Sequence, residues 1–303
     1  MRQQSDKTKR KPQKKSLVKY IVKESSDLMS FLLHIFNGKS RTSIKSLLTN
    51  RQIVVDGKIV TKYDYQLQPG QEVFVNPERP QKAVPLKNIS IIYEDEHLIV
   101  VNKEAGLMSV PSEHNNETSA FDILFQHIKL SNPQNKIYIL HRLDREASGI
   151  LMFAKSLDIK REMQKNWTES VTDRCFYVIV EGLITKDRGT ISSWLSENKA
   201  FKMYSNPTSN AGKRAITHFK LIETNKKYSL LEVKPETSVK NQIRVHMQDI
   251  EHPIVGDKKY GATHNPIHRI GIHSYILSFK HPVTNEQMHF ELPVPGEFSA
   301  LLK

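Results

Sequence analysis

The sequence is poor in cysteine. A single one, Cys175, in 303 residues rules out an internal disulfide and a cysteine-built zinc cage. It also lacks long apolar runs: none approaches the roughly 20 residues that cross a bilayer as a helix. The first residues, MRQQSDKTKRKPQKK, have no apolar stretch behind them and do not read as a secretory signal. Together these absences lead us to expect a cytoplasmic, reducing location and no membrane. Acidic residues are the minority, 32 against 45 Lys and Arg, which leaves a formal net charge of +13 and points to a polyanionic partner. What is present suffices for a packed core, since 38% of the chain is hydrophobic. The length suits a catalytic domain with a small accessory one.

Residues 1–16 form a basic arm with nothing apolar to order it, so disorder in the free protein and phosphate contacts in a complex are expected. Residues 17–76 read as a compact α+β domain. Leu28, Phe31, Leu32 and Ile35 recur at helical spacing behind Ser26 and Asp27, either of which can cap the helix, and Gly38 ends it. A second short helix follows Ser40, carrying Ile44, Leu47 and Leu48 inside and Arg41, Lys45 and Arg51 around it. Ile53 to Val60 reads as a hairpin turning at Asp56-Gly57, and Pro69-Gly70 turns the chain into the strand Glu72–Val75. This arrangement resembles the S4-like RNA-binding domain, which implies RNA contacts from Arg41 and Lys45. Residues 77–87, with Pro77, Pro80 and Pro85, read as a linker.

Residues 88–303 are strand-rich with interspersed helices. Ile89–Tyr93 and Leu98–Val101 read as paired strands, 121–130 and 156–167 as helices, and 178–180, 229–233 and 288–290 as further strands. No regular strand–helix alternation occurs, which disfavours a doubly wound parallel sheet. The expected fold is α+β, with a mixed, largely antiparallel central sheet and flanking helices.

The segment Tyr138 to Lys155 is the most informative. Two apolar strands flank a polar turn in which Asp144 sits between Arg142 and Arg145, and Gly149 permits an unusual backbone path. Nearby cations favour the charged form of a carboxyl, and an oriented carboxylate serves as nucleophile or general base. The same composition also suits a loop whose charges pair for stability, so on its own the segment leaves both readings open.

Its wording, His141-Arg142-Leu143-Asp144-Arg145-Glu146-Ala147-Ser148-Gly149, resembles the HRLDxxTSG signature of the RluA-type pseudouridine synthases. Further matches follow in order: Glu94-Asp95 with Asn102-Lys103-x-Ala105-Gly106-Leu107; Glu232-Val233-x-Pro235-x-Thr237 through Gln242-Ile243-Arg244-Val245-His246; His252 to Gly261; and Arg269, His273 and Lys280-His281-Pro282. The resemblance implies isomerisation of uridine in structured RNA, with large-subunit ribosomal RNA expected and transfer RNA the alternative. It implies Asp144 as the catalytic residue, Arg244 as its ionic partner, Arg142 as the residue filling the gap left by a flipped uridine, and Ile243 packing near the base. No metal or organic cofactor is implied, His141, His246 and His252 read as structural, and a monomer is expected.

The match has departures. Glu104 stands where the family usually has proline, and Glu146-Ala147 where Asp-Thr is common. Ser238-Val239-Lys240-Asn241 stands where Gly-Arg-(Thr/Ser)-His is common, leaving Lys240 to replace a basic residue that would contact RNA. Phe176 occupies the place of an active-site tyrosine and can stack on uracil without offering a phenol. Tyr177 points to the opposite face of the strand. The alternative function is therefore an RNA-binding or ribosome-assembly factor without catalysis on the same fold.

Overall fold

The computed structural model describes residues 18–76, 86–112, 117–165, 167–206 and 212–303. The basic arm and residues 77–85 of the proline-bearing segment lie outside these. The chain divides into two compact units, residues 1–84 with 126–135, and residues 85–125 with 136–303.

The smaller unit contains strands β1 (Val18–Ile21) and β2 (Ser26–Asp27), helices α1 (Leu28–Ile35) and α2 (Arg41–Thr49), and strands β3 (Ile53–Val55), β4 (Lys58–Ile59), β5 (Gln66–Leu67) and β6 (Glu72–Val75). The sheet runs β1-β6-β3-β4, and β2 pairs with β5. Both helices start where the sequence says. The Ser30 amide donates to Asp27 Oδ1 at 2.9 Å and the Ser43 amide to Ser40 Oγ at 3.2 Å, so two otherwise orphaned amides are satisfied. Those bonds from Ser30 also hold the Asp27 carboxyl below its usual range. Leu28, Leu32, Ile44 and Leu48 are buried in one core, which leaves Arg41 and Lys45 on the outer face of α2. The turn between β3 and β4 has Asp56 and Gly57 both at positive φ (45° and 79°), the geometry that matches the twist of paired strands.

The larger unit holds β7 (Ile89–Glu94), β8 (Leu98–Lys103), the first part of α3 (Ala120–Ser131, whose residues from 126 on fall in the smaller unit), β9 (Tyr138–Ile139), β10 (Ser148–Ala154), α4 (Leu157–Lys165), α5 (Trp167–Ser170) and β11 (Val171–Glu181). It continues with β12 (Arg188–Glu197), β13 (Met203–Asn206), β14 (Lys213–Thr224), β15 (Tyr228–Pro235), α6 (Gln242–Asp249), β16 (Ile272–Lys280), β17 (Gln287–Glu291) and α7 (Gly296–Leu302). One sheet runs β13-β12-β14-β15-β11-β16-β10-β8-β7, with β17 added to β16 and β9 to β10. Its pairings are antiparallel except β10 with β16, where Ser148 faces His273 and Gly149 faces Ser274. The largely antiparallel α+β fold is the one expected. The helix expected over 156–167 is shorter: Ser156 caps α4 by accepting from the Ile159 amide at 3.2 Å, and α5 begins at Trp167.

Candidate active site

Asp144 lies on the loop between β9 and β10, and several contacts fix that loop. Ser109 Oγ donates to Leu143 O at 2.7 Å and accepts from the Leu143 amide at 3.0 Å. Lys103 is fully buried, and its ammonium donates to the carbonyls of Glu104, Leu107, Arg145 and Ala147 at 2.6–3.2 Å. One side chain thus ties the turn after β8 to the turn after Asp144. Burial pushes the Lys103 amine down to about 8, against the pull of Glu146 and Asp144. On the far side, a Cβ at Gly149 would meet Ser274 O at 2.1 Å, and Gly149 has φ +109°, so only glycine allows β10 to lie this close to β16. Ser148 Oγ and His273 Nδ1 share a 2.7 Å hydrogen bond across that same contact.

The loop presents Asp144 to a three-member ionic group. Arg244, in α6, donates Nη1 to Asp144 Oδ2 at 3.0 Å; its Nε and Nη2 grip both oxygens of Asp257 at 2.6 and 2.8 Å. The guanidinium also lies over the Tyr260 ring, 4.9 Å from its centroid. Side-chain exposure falls from 41% at Asp144 to 12% at Arg244 and 1% at Asp257, so Arg244 is anchored from within and offers one edge outward. Burial opposes its charge, but the hydrogen bonds and charge of Asp257, with Asp144 behind them, outweigh that and hold it above its ordinary range. Asp144 Oδ1 has no hydrogen bond among the described residues. The result is an oriented carboxylate with one oxygen available.

Asp144 borders a cavity of about 520 Å³, lined among others by Arg142, Trp167, Arg174, Phe176, Ser238, Lys240, Ile243 and Arg244. The structure therefore brings together Asp144, Arg142, Phe176, Ile243, Arg244 and Lys240 of the residues singled out from sequence. Arg142 is exposed and has no partner among the described residues. Phe176 is 6% exposed, packed with Ala147, Val233 and Ile272, and faces the cavity. Tyr177 lies on the opposite face, stacked on Tyr275 with centroids 3.6 Å apart. Lys240 is bonded to Glu197. Arg41 and Lys45 belong to the smaller unit; Lys45 lies 5.5 Å from the Tyr63 ring centroid.

The departures have local explanations. The Glu104 amide donates to Asn88 O at 2.9 Å, a bond proline would forgo. Ala147 is buried in the core behind the loop. Val239 packs against the cluster containing Leu195, Met203 and Tyr260. Asn241 takes the left-handed conformation at φ 54° and donates to the Tyr260 hydroxyl at 3.1 Å.

Sequence reasoning missed Asp257, Lys103, Gln242 and Arg174 as parts of this site. Buried Gln242 satisfies all its polar atoms, accepting from the Val239 amide and Thr237 Oγ1 and donating to Ile216 O and Thr217 Oγ1, so it staples the 237–241 loop to β14. The histidines are taken up by internal bonds. His141 Nε2 accepts from the Met152 amide at 3.1 Å, His246 bridges Ser193 and Thr217, and His252 bonds Glu181 O. Burial pushes His141 down to about 3, helped by the charge of Arg174, and His246 to about 4. Among the described residues no group of His, Cys, Asp and Glu has the arrangement of a metal site, and no helix is long and apolar enough to cross a membrane.

The RNA pseudouridylate synthase family model matches residues 97–249 and the S4 domain model residues 28–73. The uncharacterized RNA pseudouridine synthase YlyB of Bacillus subtilis is 32% identical over 288 residues, spanning 92% of this chain and 94% of its own. Ribosomal large subunit pseudouridine synthase D of Neisseria meningitidis is 30% identical, spanning 87% of this chain and 74% of its own. The human RNA pseudouridylate synthase domain containing 4 shares the fold, with a TM-score of 0.57 at 20% identity over 69% of this chain and 90% of that one. Family model, relatives and fold agree: the chain belongs to the RNA pseudouridylate synthases, a family of isomerases, and carries an S4 domain toward its N-terminus.

Proposed function

We propose that the protein converts specific uridines of large-subunit ribosomal RNA to pseudouridine, with Asp144 as the catalytic residue acting on a base flipped into the cavity. The observation that carries this is the Asp144–Arg244–Asp257 group at the cavity wall. It orients one carboxylate and leaves Oδ1 without a hydrogen bond among the described residues. In the reaction the bond from ribose C1′ to uracil N1 breaks, the base turns, and C5 bonds to C1′; N1 gains a proton and C5 loses one. Flipping the nucleotide costs a few kcal/mol, and the exposed guanidinium of Arg142 is suited to stack in the gap and offset part of that. Phe176 and Ile243 supply apolar surface for the base. The RNA class is argued from the relatives named for the ribosomal large subunit and from the net charge of +13.

The test is incubation of the protein with unmodified large-subunit ribosomal RNA and transfer RNA, followed by pseudouridine mapping. Wild type is expected to modify a small set of ribosomal sites and Asp144→Asn none. Undiminished activity in Asp144→Asn would remove the assigned role. Phe176, which has no phenol, favours a second reading, an RNA-binding factor without catalysis; that reading requires tight binding with no pseudouridine formed.

A further inference from the structure

Four cations line the cavity: Arg142, Arg174, Lys240 and Arg244. Arg244 is neutralised by two carboxylates, Lys240 is paired with Glu197, and Arg142 is exposed to solvent. Arg174 is different. It is partly buried on β11, two residues before Phe176 and 5.6 Å from the centroid of that ring. Its one hydrogen bond among the described residues runs from Nη2 to Ser238 Oγ at 3.0 Å, a neutral acceptor. No carboxylate lies within ion-pair range of it among those residues. The adjoining acid, Asp173, is engaged elsewhere, with Lys234 at 2.8 Å and with the Cys175 thiol. Burial correspondingly lowers the Arg174 pKa from its ordinary value.

A partly desolvated cation without a counter-ion is costly, and the molecule keeps this one beside an open cavity. A guanidinium presents five N–H donors in a plane, and one hydrogen bond leaves most of them unused. Ser238 accepts from Arg174 and keeps its own hydroxyl proton to donate. The neighbouring Val239 amide is already taken by Gln242. The local set is therefore made of donors with one positive charge, which suits an anion that has only acceptor oxygens. A phosphodiester is such a group, and arginine binds it through two parallel hydrogen bonds.

We infer that Arg174 and Ser238 form a phosphate subsite that holds a backbone phosphodiester of the RNA strand at the nucleotide entering the cavity. The inference rests on the reading of the cavity as the RNA site. It separates the cations lining that site by what each must give up. Lys240 reaches RNA only by releasing Glu197, whereas Arg174 acquires in the complex the counter-ion it lacks in the free protein.

The experiment measures binding of large-subunit ribosomal RNA made in vitro across a range of salt, with pseudouridine formation assayed in parallel. The proteins are wild type, Arg174→Met, Arg174→Lys, Ser238→Ala and Asp144→Asn. Loss of one phosphate contact lowers the slope of log affinity against log salt by about 0.7–0.9, which is expected for Arg174→Met. Its affinity should fall roughly ten- to hundredfold, the range of a charge-assisted hydrogen bond. Arg174→Lys should keep the slope and lose part of the affinity, because charge survives and the planar fork does not. Ser238→Ala should likewise weaken binding with its slope intact, and Asp144→Asn should bind with the wild-type slope. A structural role for Arg174 predicts instead a lowered unfolding midpoint and an unchanged slope. Wild-type slope and affinity in Arg174→Met, Arg174→Lys and Ser238→Ala would overturn the subsite while leaving an active isomerase in place. A reduced slope in Arg174→Met together with no pseudouridine from wild type would support the subsite and refute the proposed reaction. Should Arg174→Met fail to fold, Arg174→Lys and Ser238→Ala decide: affinity equal to wild type in both overturns the proposal.

Discussion

Asp257 is 1% exposed and its partner Arg244 12%, so this ion pair is held by the interior and not by solvent. Asp257→Asn keeps the shape but removes the charge, leaving Arg244 with Asp144 alone. Breaking one side of a buried pair costs about 3–5 kcal/mol, and Asp144 recovers part of it. The expected result is a lowered unfolding midpoint with a fall in kcat larger than any change in KM, because the free edge of Arg244 no longer has a fixed position. An unchanged kcat would show that Arg244 needs no anchor. Phe176 gives the complementary case. Phe176→Ala should cost about 3–5 kcal/mol as a core truncation. Phe176→Tyr tests the phenol alone, and a rate within a few-fold of wild type is expected if the phenol is dispensable. At this scale the sequence was informative where the motif places chemistry close together: Arg142 and Asp144 are two positions apart, and alternation on a strand separated Phe176 from Tyr177. It was silent on Asp257 and Arg174, whose meaning comes from partners 13 and 64 positions away.

At the scale of elements, the loop bearing Asp144 depends on two close approaches. One is the parallel contact of β10 with β16, which Gly149 permits. Gly149→Ala forces a Cβ to within 2.1 Å of Ser274 O at a φ of +109°, so the strands must part or the backbone must change. Loss of activity with RNA binding retained is the expected outcome, checked by binding and modification assays on the same preparation. The other is Lys103, whose donors satisfy carbonyls on both turns. Lys103→Met leaves these buried carbonyls short of a donor at about 1–3 kcal/mol each, and thermal unfolding should register a midpoint well below wild type. These devices explain what was legible here. The strands β7, β8, β15 and β17 and the helices α1 to α4 carry periodic apolar residues or clear caps, and their places could be read directly. In the long strands β12 and β14 buried and exposed positions alternate over only part of their length, so no continuous apolar pattern announced them. The parallel step of β10 beside β16 joins segments 125 residues apart, and only the glycine hinted at it.

For the whole molecule, charge and buried histidines govern response to conditions. A net charge of +13 favours polyanions, and deleting residues 1–15 should flatten the salt dependence of RNA binding if the arm neutralises phosphates; an unchanged slope would mean that it does not. Acid should act through a different set of groups. Burial pushes His246 and His273 down to about 4 and His141 to about 3. An unfolded histidine titrates near 6.5. Between pH 6.5 and 4 the unfolded chain takes up protons that the folded one refuses, so stability is full above pH 6.5 and falls as pH drops through this window. Each such group contributes at most about 1.4 kcal/mol per pH unit. The lowered carboxyls, Asp95, Asp173, Glu181 and Glu297 among them, add their loss only below the ordinary carboxylate range. The two windows are therefore separable by urea unfolding at pH 7, 5.5 and 4.5. His246→Gln preserves polar contact with Ser193 and Thr217 and removes one titrating group, so its stability should depend less steeply on pH across that interval, by about a third of the histidine share. A curve parallel to wild type would show that His246 takes up its proton in the folded protein as it does in the unfolded chain, so that its burial does not shift it.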